Sequence, residues 1–260
     1  MQIQKFINTI NQWAPEEYAE DFDNVGLIVG NPNEKLKGVL ISLDTTEEVL
    51  NEAIKKKCNL IVSFHPIIFS GLKKITTSSY VEKIVLKAIE NKLSIYAIHT
   101  SLDNHSRGVN YVISKRLRLK SSKILIPKKD NNIIGMGRIG DLVKPLNEQK
   151  FLNFVKTQMN TKLIRHSKLL NKKIKKVAVL GGSGAFAIKN SIEKKADAYI
   201  TSDLKYHNFF EANNQILLID MGHFESEQFT KNLIHGFLIK KFPNFAIILS
   251  STVTNPVNYY

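Results

Sequence analysis

Residues 38–63 read Gly38-Val-Leu-Ile-Ser-Leu-Asp-Thr-Thr-Glu-Glu-Val-Leu-Asn-Glu-Ala-Ile-Lys-Lys-Lys-Cys-Asn-Leu-Ile-Val-Ser63. Gly38 to Leu43 is an unbroken apolar run of strand length, and Asn59 to Ser63 is another. Between them, Thr45 to Lys57 has the apolar spacing of a helix, with Thr46 as its N-cap. Strand, helix, strand in that order predicts two parallel strands joined by a right-handed crossover, and with it an α/β fold.

Outward from this unit the alternation continues. Ile3, Phe6, Ile7, Ile10 and Trp13 form the stripe of an amphipathic helix that ends before Pro15. Asp21 to Asn24 reads as a polar turn, held by the side chains of Asp23 and Asn24, that feeds a short strand closed by Gly30. After Ser63 come His65 and Pro66, a loop, a helix over roughly 79–91, and a strand from Leu93 to Ile98 that runs into His99-Thr-Ser-Leu-Asp103-Asn. Helix 108–118 follows. Residues 120–135, rich in Lys, Ser, Pro, Asp and Asn, read as a linker. A short strand at Gly135–Gly140 and a helix at 146–160 precede a second strand-helix run: Lys176 to Leu180 with Gly181-Gly-Ser-Gly184, helix 185–195, strand Ala198–Thr201, helix 207–213 and strand 216–219. A single helix over 225–241 and a strand at Ala246–Ser250 complete the chain. The expected division is a first domain over 1–125, completed by 225–260, and a second over 126–224.

The second run echoes the first. Val39 and Val177, and likewise Val62 and Ile200, lie 138 residues apart, each pair at equivalent points of its strands. On that register Ser63 falls on Thr201 and His65 on Asp203. Third strands ending at Ile98 and Ile219 each deliver a histidine and an acid: His99 with Asp103, His223 with Glu227. C-terminal ends of parallel strands share one edge, where α/β proteins bind ligands.

Composition narrows the class. With 260 residues, 43% hydrophobic and 23% charged, the chain is neither disordered nor fibrous, and it is long enough for one large domain or two ordinary ones. No apolar run reaches the ~20 residues of a membrane span, and the start is too polar for a signal peptide, so the expectation is a cytoplasmic protein without membrane attachment. A lone cysteine, Cys58, excludes an internal disulfide and a thiolate zinc site. Lys and Arg exceed Asp and Glu by 37 to 23, a net +14 that suits an anionic ligand; the lysines are spread along the whole chain, which argues against a dedicated nucleic-acid face.

His223 and Glu227 stand one helical turn apart after a buried strand, half of a metal site. Two similar units facing one another would bring His65 and Asp103 toward them. Imidazole and carboxylate donors without thiolate suit zinc, manganese or ferrous iron, and Glu227 could bridge two ions. Gly181-Gly-Ser-Gly184 offers amides to a phosphate, although it lacks the spacing and lysine of a P-loop.

Taken together, Asp23-Asn-Val-Gly-Leu, Ser42-Leu-Asp-Thr-Thr, His65-Pro-Ile-Ile-Phe, His99-Thr-Ser-Leu-Asp103-Asn, Gly181-Gly-Ser-Gly, Thr201-Ser-Asp-Leu-Lys-Tyr-His207 and Gly222-His-Phe-Glu-Ser-Glu227 resemble the Nif-three-like family, also labelled GTP cyclohydrolase I type 2 homologues, over essentially the whole chain. The resemblance implies two intertwined three-layer α/β/α domains with mainly parallel sheets, a two-metal site in the cleft between them, and a toroidal homohexamer. A short join around Asp130–Gly135 matches the compact form without the inserted middle domain. By position, the family's ligands fall on His65, Asp103, His223 and Glu227, with Glu227 shared. One departure is Phe64, where the family has a histidine, so one strong and one weak site are expected. The implied activity is metal-dependent hydrolysis of a nucleotide or similar phosphorylated compound, with His99 and His207 as proton-transfer residues. The alternative is a ring-shaped scaffold with a structural metal that engages nucleic acid or protein.

Overall fold

The computed structural model describes residues 1–129 and 131–260; the expected join begins at Asp130, which lies outside the described residues. Along the chain run α1 (Ile3–Trp13), β1 (Gly26–Val29), β2 (Val39–Ser42), α2 (Glu47–Lys55), β3 (Leu60–Ser63), α3 (Tyr80–Glu90), β4 (Ser94–Ala97) and α4 (His99–Asn104). Next come α5 (Val109–Arg116), β5 (Lys120–Lys128), β6 (Asn131–Asn147), α6 (Glu148–Met159), β7 (Arg165–His166), β8 (Lys173–Ser183) and α7 (Ile188–Glu193). The last elements are β9 (Ala198–Ser202), β10 (Leu217–Asp220), α8 (His223–Glu227), α9 (Thr230–Lys241) and β11 (Ile247–Leu249).

Two compact units result, one of Met1–Leu102 with Thr230–Pro256, the other of Asp103–Phe229 with Val257–Tyr260. The sequence puts the joins near 125 and 224; the compact units meet instead inside α4 and just before α9. The reason lies in pairing. β5 hydrogen-bonds to β6, so residues 120–128 belong to the second sheet rather than to the end of the first domain.

The first unit holds a five-stranded sheet in the order β1-β4-β3-β2-β11. Its β2, β3, β4 and β11 are mutually parallel, and β1 is an antiparallel edge. All residues of β2, β3 and β4 are buried, as their unbroken apolar runs require. Thr46 caps α2 by accepting a hydrogen bond from the Val49 amide, and Val49, Leu50 and Ala53 turn inward to a core shared with Ile61, Val85 and Ile95. Along α1 the stripe Ile3, Phe6, Ile7 and Ile10 is buried, and Trp13 stacks on Phe237 with 4.1 Å between ring centroids.

In the second unit a six-stranded sheet runs β5-β6-β8-β9-β10-β7. Its central β8, β9 and β10 are parallel; β5, β6 and β7 pair antiparallel. Val39 pairs with Leu60 in the first sheet and Val177 with Ala198 in the second, so the offset of 138 carries the pairing register as well as the pattern. The expected linker over 120–135 is instead the β5-β6 ribbon. Ile124 and Leu125 are the buried residues of β5, and the surrounding Lys and Ser cover an exposed edge, where charge blocks further strand addition.

The expected helix over 225–241 is broken into α8 and α9. The Ser226 hydroxyl donates to the His223 carbonyl and the Gln228 side-chain Nε2 to the Glu225 carbonyl, acceptors that a continuous helix would use for its own backbone. No described helix is long and apolar enough to cross a membrane.

Strand β11 is tied down by one carboxylate. Glu52 on α2 accepts from the hydroxyls of Ser250, Ser251 and Thr252 at 2.6, 2.9 and 2.8 Å, and from the amides of Ser251 and Thr252. Burial alone would raise its pKa; Lys56 and this ring of donors hold it far below the usual carboxylate range. A depressed pKa in the folded state contributes stability above the unfolded value and loses it as pH falls. Glu52→Gln is therefore expected to lower stability at pH 7 by about 1–3 kcal/mol, and the gap to the parent protein should close as pH drops below 4.5. Denaturant unfolding at both pH values checks this; equal stability at pH 7 would refute it.

Candidate functional site

In the first unit, three parallel strands end on one edge and each delivers a polar residue. Asp44 follows β2, His65 follows β3 and His99 follows β4. The Asp44 carboxylate lies 2.7 Å from His65 Nδ1, and its second oxygen accepts from the Thr254 hydroxyl. Backbone bonds complete the placement of His65: its amide donates to the Leu43 carbonyl at 2.9 Å, and its carbonyl accepts from Ser63 Oγ at 2.8 Å. With Nδ1 engaged by an acid, His65 would ligate through Nε2, the arrangement found where a carboxylate orients a metal-binding histidine.

His99 is held in the same way. Its Nδ1 is 2.7 Å from Asp23 Oδ1, and Asp23 Oδ2 accepts from the Thr100 amide and hydroxyl. Burial opposes ionisation of Asp23, but the hydrogen bond and charge of His99, together with Thr100, keep its pKa below the ordinary value. His99 carries a positive φ of 27°, a conformation that a non-glycine residue takes only when its surroundings impose it. The His65 and His99 rings meet edge to face, 5.3 Å between centroids. Phe64 is fully buried against both rings. It is an apolar wall behind the two imidazoles.

The second unit repeats the device. Asp203 follows β9, and His223 follows β10 after the turn at Gly222, whose φ is 92°. His223 Nδ1 lies 2.6 Å from Asp203 Oδ2, and its Nε2 lies 3.1 Å from Glu227 Oε2. Ser183 adds a hydroxyl donor to Asp203. Burial would lower the His223 pKa, but the hydrogen bonds and charges of Asp203 and Glu227 push it up to about 11. Asp203 is held low chiefly by its bond to His223.

Glu227 is only 3% exposed, and its place depends on the glycine run. A Cβ on Gly182 would stand 2.5 Å from Glu227 Oε1, and Gly182 has a φ of 70°. Backbone groups of its first two glycines are engaged. The Gly181 amide donates to Asn110 Oδ1, the Gly182 amide to Ser226 Oγ, and the Gly182 carbonyl accepts from Thr201 and Ser202. A phosphate at the first two glycines would have to displace these side chains, and Gly182 serves the approach of Glu227. Asn110 also donates to the Asp103 carbonyl at 3.4 Å, and Asp103 is buried.

Of the residues expected from sequence, the first unit brings His65 and His99 together, and the second brings His223 and Glu227 together. Asp103 lies at the C-terminal end of α4. His207 sits in an exposed 3-10 turn over Tyr206–Ala212, its ring against Tyr206 and Phe210. Sequence reasoning passed over Asp44 and assigned Asp23 only to a turn. Both are acids placed within reach of a histidine that follows a neighbouring strand, and only the sheet order makes them neighbours.

Comparison with known proteins places the whole chain among similar sequences and folds. The chain is 32% identical over 267 residues to a GTP cyclohydrolase 1 type 2 homolog from Clostridium acetobutylicum, covering 100% of this chain and 99% of that one. The Staphylococcus aureus hypothetical protein SA1388 superposes with a TM-score of 0.93 at 29% identity, over 100% of this chain and 99% of the other. A Bacillus cereus protein related to NIF3 superposes with a TM-score of 0.94 at 25% identity, with the same coverage. The family model described as Duf34/NIF3 (NGG1p interacting factor 3) matches residues 1–256, and the chain belongs to that family.

Proposed function

We propose that this chain binds a divalent metal ion through His65, Asp103, His223 and Glu227 and uses it to hydrolyse a nucleotide or a similar phosphorylated compound. The observation that carries the reading is the pair of oriented histidines: each has Nδ1 on a carboxylate, at 2.7 Å for His65 and 2.6 Å for His223. His65, His223 and Glu227 are donors of the kind that zinc, manganese and ferrous iron accept. A divalent cation, when bound, supplies a water whose pKa lies near ~7.

The protein's own part is positioning and proton transfer. Asp44 and Asp203 set the imidazoles, Gly182 lets the Glu227 carboxylate sit against the backbone, and His99, held by Asp23, is the group best placed to move a proton. His207 is the second such candidate. Phe64 cannot donate electrons to a metal, so one ion is held strongly and a second weakly. The net charge of +14 draws an anionic substrate inward. The name carried by the Clostridium relative supports GTP as the first compound to try. Exposed Phe186, Tyr206 and Phe210 on the second unit favour self-association, for which the homohexamer is the proposed form.

The same positive charge favours a second reading, a scaffold that binds nucleic acid around a structural metal.

Elemental analysis of purified protein should find about one tightly held divalent ion per chain. Two tightly held ions would refute the one-strong-site assignment, and none would refute the metal assignment itself. Asp44→Asn and Asp203→Asn are each expected to weaken metal binding by about 10–100-fold. Gly182→Ala, by displacing Glu227, should weaken it at least as much; metal affinity equal to that of the parent would show that the glycine serves only the turn. With GTP and metal present, Asp103→Ala or Glu227→Ala should abolish turnover, and activity that survives either change would sink the catalytic role. Steeply salt-dependent DNA binding with no turnover would select the scaffold instead.

A further inference from the structure

Beside His99, the first unit presents two phenyl rings to solvent. Phe22 is 66% exposed and Phe69 51% exposed. Their centroids lie 6.3 Å apart with the planes tilted by 54°, and the Phe69 ring meets His99 edge to face at 6.2 Å. Large apolar groups left in water side by side are informative in a way that scattered ones are not.

Neither ring is loosely carried. Phe22 belongs to the turn Asp21–Asn24, which is fixed by Asp23 bonding His99 and Thr100 and by Asn24 Nδ2 donating to the Ile68 carbonyl at 2.6 Å. Phe69 follows directly after Ile68. On either side of it Ile67 is buried, and Ile68 and Leu72 pack against the core of the unit. The Asn24 bond therefore ties together the two segments that carry the rings. The connection from β3 to α3, residues 64–79, has no helix or strand, and loops above about 12–15 residues are uncommon unless they serve a function. This one carries His65, Phe69 and the exposed Lys73 and Lys74.

We infer that Phe22 and Phe69 form a stacking platform that selects a planar heteroaromatic ring in the substrate. The inference rests on the reading that His65 and His99 belong to the reaction site. A ring laid on Phe69 stands next to the His99 imidazole, so the platform determines which ring is offered for proton transfer. Aromatic stacking tolerates any base, because each has a π face; the platform therefore selects for a planar ring and not for one particular base.

Calorimetric titration of the metal-loaded protein with guanosine, adenosine, ribose 5-phosphate and inorganic triphosphate tests the assignment. Both nucleosides should bind, and Phe69→Leu should weaken them by about tenfold, with Phe22→Leu weaker in the same direction. Triphosphate binding and metal content should stay as in the parent, and Phe69→Trp should restore nucleoside binding. Leucine keeps apolar bulk at a half-exposed position, and thermal unfolding confirms that the variants are folded. Three results would overturn the inference: a parent protein that takes nucleosides no better than ribose 5-phosphate, leucine variants that bind like the parent, or leucine variants whose main change is a smaller sedimenting species, which would make the rings a contact between copies of the chain. The two readings fail separately. Metal present without nucleoside binding defeats the platform alone; nucleoside binding that depends on Phe69 in a protein that takes up no metal defeats the hydrolase reading alone.

Discussion

A carboxylate buried in a protein interior is costly unless its neighbours compensate it, and Glu227 is such a group. Its compensation begins with His223, whose Nε2 stands 3.1 Å away and whose other nitrogen is held by Asp203. Each member of this row depends on an irregular backbone position. Gly182 and Gly222 have positive φ, and so does Asp203, a residue type that takes that region more readily than most. The second unit is thus arranged so that strand ends depart from regular geometry where the charged side chains need room.

The first unit reaches a similar end by a different route. The histidines are set by paired acids and by Phe64, a phenyl ring wedged behind both imidazoles. Phe64, fully buried, makes part of that edge core. The acid-imidazole pairs, Asp44 with His65 and Asp23 with His99, orient the two rings.

Much of this was legible in the sequence. Continuous apolar runs announced β2, β3 and β4, and the 138-residue offset between the two runs reappears in the pairing of Val39 with Leu60 and Val177 with Ala198. His223 and Glu227 at one helical turn gave their contact directly, because local spacing fixes it. What failed was local in appearance and tertiary in cause. Residues 120–128 look like a linker because an edge strand with Lys and Ser on its exposed side has little apolar signal, and only its pairing with β6 makes it a strand. The split between α8 and α9 depends on Ser226 and Gln228 taking carbonyls from the helix, which periodicity does not register. Asp44 and Asp203 were invisible as partners because sheet order, not sequence distance, puts them next to a histidine.

The placement of β11 has a consequence for how the protein is made. Its three residues pair with β2, more than 200 positions earlier, and Thr254 completes the bonding of Asp44 across 210 residues. A ribosome has therefore extruded the whole second unit before the first can close its sheet. Until then β2 stands as an exposed edge in the nascent chain, with the risk of mispairing that such edges carry. The bonding around His65 is therefore completed only once residues 247–254 have been made.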